Sequence, residues 1–291
     1  MVTVYSVNAF TLNGKGGNPA GVCLDADGLS ESKMQAIAAK VGYSETAFVQ
    51  KPVSAKADYK TRFFTPTREV NLCGHATIAT FYLLAKQGRL TLGTYFQETK
   101  AGILKVEIRD DDDEVFMYQQ LPKWQGTIPK EEVEGCLDVK LSELPVEIIS
   151  TGEPTIIANV SSLDSLLAIK PDFDRIRRFE QIHLNSLLYV FTFQKKNQLS
   201  TAHGRMFAPV DGINEESATG VASGALACYL FRNGLAQNRS YRRSSGATYI
   251  FEQGYSMGSP SKILATVRTQ SSHISAVIIG GTATLNGNLN V

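Results

Sequence analysis

No uninterrupted apolar run in this 291-residue chain reaches the roughly 20 residues that a membrane span takes, so no transmembrane helix is expected. Charge of one sign is not in excess either. The formal net charge is +1, which leaves no long-range field to draw in nucleic acid or an anionic membrane. The opening residues, Met1 to Phe10, lack the basic and apolar segments of a secretory leader. Cysteine is sparse: Cys23, Cys73, Cys136 and Cys228 lie far apart, with no Cys-x-x-Cys pair, which argues against zinc and redox-dithiol sites. Reduced thiols in a cytoplasmic protein are expected. The glycines at Gly14, Gly16 and Gly17 fit neither phosphate-loop spacing. No metal and no cofactor are therefore expected.

What is present is globular composition, 43% apolar and 20% charged, in a length that suits two domains of roughly 100–150 residues. The chain also repeats itself. Arg62-Phe63-Phe64-Thr65-Pro66 leads through a polar loop to Gly74 and then Gly88. Arg205-Met206-Phe207-Ala208-Pro209 leads to Gly220 and Gly234, with the same interval between the two glycines and a loop three residues longer. In each copy the pattern predicts a strand ended by proline, because proline removes a ladder donor. A helix follows from Gly74 or Gly220, and its closing glycine accepts the left-handed cap conformation. Both helices are apolar or small all round, the mark of a helix buried all round. The similarity extends to Gly17-Asn18-Pro19 and Gly152-Glu153-Pro154, each beside a strand-like run. The four aspartates Asp110–Asp113 read as an exposed hairpin tip. The expected division is a first lobe over 1–121, with the tail 280–291 returning to it, and a second lobe over 122–279.

Candidate site residues gather at the two helix starts. Free N–H groups and the dipole at a helix start bind carboxylates and phosphates. Two matched starts, at Gly74 and Gly220, suit a small acidic or zwitterionic metabolite held between the copies. His75 lies in the first turn of one helix, where a neutral imidazole can exchange protons. Val221 takes its place in the other copy, so the site is asymmetric. Glu45 follows a helix predicted from Ser30 to Val41 and ended by Gly42, and stands just before a strand Ala47–Gln50. A carboxylate there, beside Tyr43 and Phe48, is open to desolvation and suits acid/base work. Glu215 and Glu216 are placed in the three-residue insertion, with Glu216 a further acid/base candidate.

Five fragments carry a specific resemblance: Gly17-Asn18-Pro19-Ala20-Gly21-Val22, Ser44-Glu45-Thr46-Ala47-Phe48, Arg62-Phe63-Phe64-Thr65-Pro66, Leu72-Cys73-Gly74-His75-Ala76-Thr77 and Ala218-Thr219-Gly220. In this order they resemble the PhzF family, the phenazine-biosynthesis-like isomerases, over essentially the whole chain. The resemblance implies an α+β, diaminopimelate-epimerase-like fold: two pseudo-symmetric lobes, each a mostly antiparallel sheet wrapped around a central helix. It also implies a homodimer and a cofactor-independent isomerase. Glu45 would take and return the proton, while His75 and the backbone at Gly74 and Gly220 hold the substrate, with Thr219 and Val221 beside them. Three residues depart from the family pattern: Glu216-Ser217 stands where Asp-Pro is usual, and Val221 where a small polar residue is frequent.

Two rival readings remain at this level. One is a non-catalytic small-anion binder or protein-interaction member of the same fold, favoured by Glu216 and Val221. The other is a two-thiol epimerase or racemase, which needs a cysteine at each helix start. Cys73 fits one start, but Thr219 occupies the other and Cys228 lies deep in its helix, so Cys73 reads as a packing residue.

Overall fold

A computed structural model describes residues 2–109, 114–235, 242–243, 246–271 and 273–291. The aspartate run Asp110–Asp113 lies outside the described residues. The chain divides into two compact units, Met1–Tyr118 with Gly280–Val291, and Gln119–Ile279.

In the first unit, β1 (Thr3–Ala9) pairs antiparallel with β2 (Asn18–Cys23), and β2 pairs parallel with β3 (Glu45–Gln50). The parallel step needs a crossover, supplied by α1 (Glu31–Val41). Ser30 caps α1 by accepting from Lys33 N, and Gly42 closes it at φ 73°, the positive angle glycine tolerates. β3 then pairs antiparallel with β4 (Tyr59–Phe64), which takes a short β5 (Glu69–Val70) on its end. β4 also pairs parallel with β6 (Gly93–Thr99), and β6 leads into β7 (Gly102–Arg109) and β8 (Glu114–Gln119). Between β5 and β6 runs α2 (Gly74–Lys86), packed on β1, β2, β3 and β7.

The second unit repeats this wiring. β10 (Val146–Ser150) and β11 (Pro154–Asn159) are antiparallel, and β11 and β12 (Leu187–Thr192) are parallel. The crossover is now two helices, α4 (Leu163–Ala168) and α5 (Phe173–Ile182). β12 and β13 (Ala202–Ala208) are antiparallel, and β13 carries the short β14 (Ile213–Glu216). α6 (Gly220–Arg232) precedes β16 (Gly246–Gln253), which runs parallel to β13 and antiparallel to β17 (Ser261–Gln270). A two-residue β15 (Arg242–Arg243) pairs with β16.

The ends are less evident from sequence. β18 (His273–Gly281) leads into β19 (Ala283–Asn290), which pairs antiparallel with β1 from Thr3↔Asn290 to Ala9↔Ala283, so the tail does return to the first unit. The matching strand of the second unit is β9 (Lys123–Ile128), antiparallel to β10 and followed by α3 (Lys130–Leu137). Lys123 and Trp124 start this strand.

Both central helices are buried from their first residue, Gly74 to Leu84 and Gly220 to Leu230, as their all-round apolar sequence requires. Each ends in the left-handed region, Gly88 at φ 67° and Gly234 at φ 65°. Matched ion pairs brace the entry to each. Arg62 donates through Nε and Nη2 to Glu69 at 2.7 Å for both bonds, and Arg205 does the same to Glu215 at 2.9 Å. Each guanidinium also lies over the phenylalanine two residues on, Phe64 or Phe207, at 5.1 and 5.0 Å.

This pairing corrects the placement of the insertion. Glu215 matches Glu69 and Glu216 matches Val70, since Met206 pairs with Glu216 as Phe63 pairs with Val70. The extra residues lie instead in the 3-10 turn Pro209–Asp211 and at Gly212, whose φ is 83°.

That turn rests on α5 through one buried carboxylate. Glu180 is fully buried, and its Oε2 accepts from Val210 N at 2.9 Å. Burial pushes its carboxyl up to about 8, while the unfolded chain titrates near 4.5. The folded state thus holds a proton that the unfolded state releases. The stabilisation is complete below pH 4.5 and is lost as pH rises through about 8. Chemical denaturation at pH 5 and pH 9 is expected to show a loss of a few kcal/mol across that window, abolished in Glu180→Gln. An unchanged slope in Glu180→Gln would assign the pH dependence elsewhere.

Cys23, Cys73, Cys136 and Cys228 are all buried and none forms a disulfide. Among the described residues no helix is long and apolar enough to cross a membrane.

Candidate active site

Glu45 is not a loop residue. It opens β3, held in register by Ala20 on β2, and its neighbour Thr46 pairs with Phe64 on β4. Two ladders fix the backbone here, and the close approach of Gly21 to Thr46 tightens it further: a Cβ on Gly21 would stand 2.7 Å from Thr46 Oγ1. Glu45 is only 7% exposed, so its carboxylate is largely withdrawn from solvent.

Helix α2 delivers the partner. Cys73 is its N-cap residue, in an extended conformation, and His75 falls in the first turn at 3% exposure. His75 Nε2 lies 3.4 Å from Glu45 Oε2 and 3.4 Å from Ser44 Oγ. The other ring nitrogen, Nδ1, lies 3.4 Å from Cys73 Sγ. Burial pulls the imidazole down to about 4, so it is neutral at pH 7. The neutral state was expected from the helix start; its cause is desolvation. A neutral imidazole donates at one nitrogen and accepts at the other. Nδ1 faces the Cys73 thiol, and Nε2 hydrogen-bonds Ser44 Oγ while standing in ion-pair range of Glu45 Oε2. The imidazole thus sits between a thiol and a carboxylate.

Cys73 is thus a neighbour of the candidate acid/base pair rather than packing alone. The signal for it was its position one residue before Gly74. Glu45, Cys73 and His75 are also a possible metal-ligand set: one donor atom from each lies within 4.8 Å of the others.

The second unit gathers Glu216, Thr219 and Gly220 at the start of α6, with Val221 next in the helix and 8% exposed. Thr219 Oγ1 donates to Glu216 Oε2 at 2.9 Å. Gln253, at the end of β16 and fully buried, donates from Nε2 to Thr219 Oγ1 at 3.2 Å and to Glu216 O at 2.8 Å. Its Oε1 accepts from Thr219 N at 3.3 Å. Gly254 follows at φ 81°, where a Cβ would stand 2.6 Å from Ser217 O, so the backbone after Gln253 presses directly under this loop. Sequence reasoning missed Gln253, whose role depends on strand register. Thr219 stands where Cys73 stands in the first unit, which removes the second thiol of a two-thiol mechanism.

Thr219 joins Glu216 to Gln253 through one hydroxyl. Thr219→Val is expected to destabilise the chain by about 1–3 kcal/mol, because it strands two buried polar partners. Thr219→Ser should recover most of that. Denaturation midpoints of the two variants check it, and equal losses would show that the methyl rather than the hydroxyl matters.

Comparison with known proteins concerns the chain as a whole. The family profile described as phenazine biosynthesis-like protein matches residues 7–287. An uncharacterized isomerase of Clostridium acetobutylicum is 35% identical, with 96% of this chain and 94% of that protein covered. The trans-2,3-dihydro-3-hydroxyanthranilate isomerase of Pseudomonas aeruginosa is 29% identical, with 94% of each covered. The crystal structure of a PhzF-family phenazine biosynthesis protein from Bacillus anthracis superimposes with a TM-score of 0.89 at 32% identity, covering 100% of this chain and 98% of that one.

Proposed function

The chain belongs to the phenazine-biosynthesis-like (PhzF) family of isomerases, and from that premise we propose that it moves a proton between two carbons of a small acidic metabolite with Glu45 as the shuttle. Glu45 accepts the proton from an activated C–H bond, and the bond's electron pair shifts into the adjacent unsaturated system. The Glu45 carboxyl then returns the proton to a different carbon, so the product is an isomer and nothing is consumed. His75 holds and recharges the carboxylate through Nε2, and Ser44 and Cys73 set its orientation. The side chains supply both halves of the transfer, so the proposed step uses no cofactor. Backbone N–H groups at Gly74, the start of α2, serve a substrate carboxylate. Selection of the substrate is assigned to Glu216, Thr219, Gly220 and Val221.

The observation that carries this reading is the 3.4 Å contact between Glu45 Oε2 and a buried, neutral His75. Positioned acid/base groups of this kind contribute roughly 10²–10⁴-fold to proton transfer. The relative named for a hydroxyanthranilate substrate supports an acidic, conjugated ligand.

The test is deuterium incorporation. The chain is incubated in D2O with a panel of small unsaturated carboxylic acids, starting with trans-2,3-dihydro-3-hydroxyanthranilate, and carbon-bound deuterium is read by mass spectrometry. Incorporation at a carbon with isomerisation supports the proposal. Isomerisation with complete retention of the original hydrogen in a single turnover and no wash-in over many would favour a shielded transfer, and binding without either would end the acid/base reading.

A further inference from the structure

The three side chains around the proposed proton path differ in chemistry: one carboxylate, one thiol and one imidazole. Orienting His75 takes only a hydrogen-bonding neighbour, and at Cys73 that neighbour is a thiol. That combination is a borderline-soft ligand set, suited to Zn2+ and its neighbours rather than to Mg2+ or Ca2+.

One distance already fits a single ion and the others are close to it. With metal bonds of about 2.3 Å to sulfur and about 2.0–2.2 Å to nitrogen and oxygen, tetrahedral neighbours stand roughly 3.3–3.7 Å apart. His75 Nε2 to Glu45 Oε2 is 3.4 Å and Cys73 Sγ to His75 Nε2 is 4.0 Å. One donor from each residue lies within 4.8 Å of the other two, so modest side-chain rotation closes the set. The frame is already rigid. Cys73 and His75 sit on the fixed start of α2, and Glu45 sits on a strand paired along both edges. The dipole of α2 opposes a cation, but a thiolate and a carboxylate together balance a divalent charge.

We propose that Glu45, Cys73 and His75 form a binding site for a thiophilic divalent cation of the Zn2+ class, and that its occupation blocks the isomerase site. On binding, the Cys73 thiol releases its proton to solvent, the imidazole proton rests on Nδ1, and Nε2 takes the ion. The fourth position is left to water or to Ser44 Oγ, 3.4 Å from the same nitrogen. Binding stands on geometry alone. The blocking consequence rests on the reading of Glu45 as the base, because a metal-bound carboxylate no longer accepts a proton.

Cobalt provides the probe. The full chain, stripped with a chelator and reduced with a phosphine, is titrated with Co2+ and followed by absorption. One cobalt per chain is expected, with a sulfur-to-cobalt charge-transfer band that Zn2+ removes. Cys73→Ser and Cys73→Ala should both lose the band. Glu45→Gln and His75→Gln should each weaken binding at least tenfold, and Cys23→Ala should leave it intact. Zn2+ should also suppress deuterium incorporation, with recovery on chelation. A missing band, or one that survives both Cys73 variants, overturns the site, and activation by Zn2+ overturns the blocking role. The site and the function fail separately: cobalt binding in a chain whose Glu45→Gln variant still incorporates deuterium keeps the former and ends the latter.

Discussion

Glu45→Gln is expected to slow deuterium incorporation by roughly 10²–10⁴-fold while leaving substrate affinity within a few-fold. Glutamine has the same shape and keeps a hydrogen-bonding oxygen, so the β3 start and the contact toward His75 can persist. What it loses is the capacity to hold a proton between two carbons. Glu45→Asp is the sharper probe of geometry. It retains the acid but withdraws it by about one bond length, and a displacement near 1 Å is enough to cost on the order of 10²-fold. An account in which Glu45 merely fills space predicts little change for glutamine and more for aspartate. Single-turnover rates and calorimetric binding on the same samples separate the two.

The second large effect is on stability. Arg205→Ala is expected to cost about 3–5 kcal/mol, because it leaves the Leu166 and Ile169 carbonyls without their charged donor and the half-buried Glu215 carboxylate with only Ser256 Oγ. Arg205 is 4% exposed, gives two parallel bonds to Glu215, and donates Nη1 to Leu166 O and Ile169 O at 3.1 and 2.8 Å. Lysine offers a point charge without the planar fork, so Arg205→Lys should recover only part of the loss. For a unit of this size the alanine variant should melt roughly 10 °C lower. The equivalent change in the first unit should cost less. Arg62 has a side chain 17% exposed, and its partner Glu69 also meets Lys100, which remains after the substitution. The difference between the two alanine variants, read by calorimetry, tests whether burial rather than pair count sets the energy. Equal shifts would contradict that.

The elements read correctly from sequence are those whose signals are local. Ser30 and Gly42 bracket α1 by capping chemistry, and α2 and α6 announce themselves by apolar residues on every face and a glycine beyond each end. The repeat itself follows from Arg-x-Phe-x-Pro in both copies. Apart from the return of the tail to the first unit, non-local features did not show. β9 and β19 complete their units by pairing with strands distant along the chain, and neither has a strong alternating pattern. The insertion was misplaced onto Glu215 and Glu216 because strand register, not spacing from the helix, aligns Glu216 with Val70. The extent of Glu45's burial did not show, because it depends on strand pairing and on helix α2 rather than on neighbours in sequence. Gln253 was invisible for the same reason, since it meets Thr219 across a separation of 34 residues.

The two copies share wiring but not chemistry: the first holds Glu45 and His75, and the second holds Glu216, Thr219 and Gln253 around a helix start without a histidine. Thr219 already engages Glu216 Oε2, which suits a carboxylate used for recognition more than one used for proton transfer. The most direct test compares Glu45→Gln with Glu216→Gln in one assay, deuterium incorporation against substrate concentration in D2O. The account predicts that Glu45→Gln loses the maximal rate at nearly unchanged half-saturation, whereas Glu216→Gln raises half-saturation and keeps most of the maximal rate. A Glu216→Gln variant that loses the maximal rate while Glu45→Gln retains it would contradict the assignment of the chemistry to the first copy.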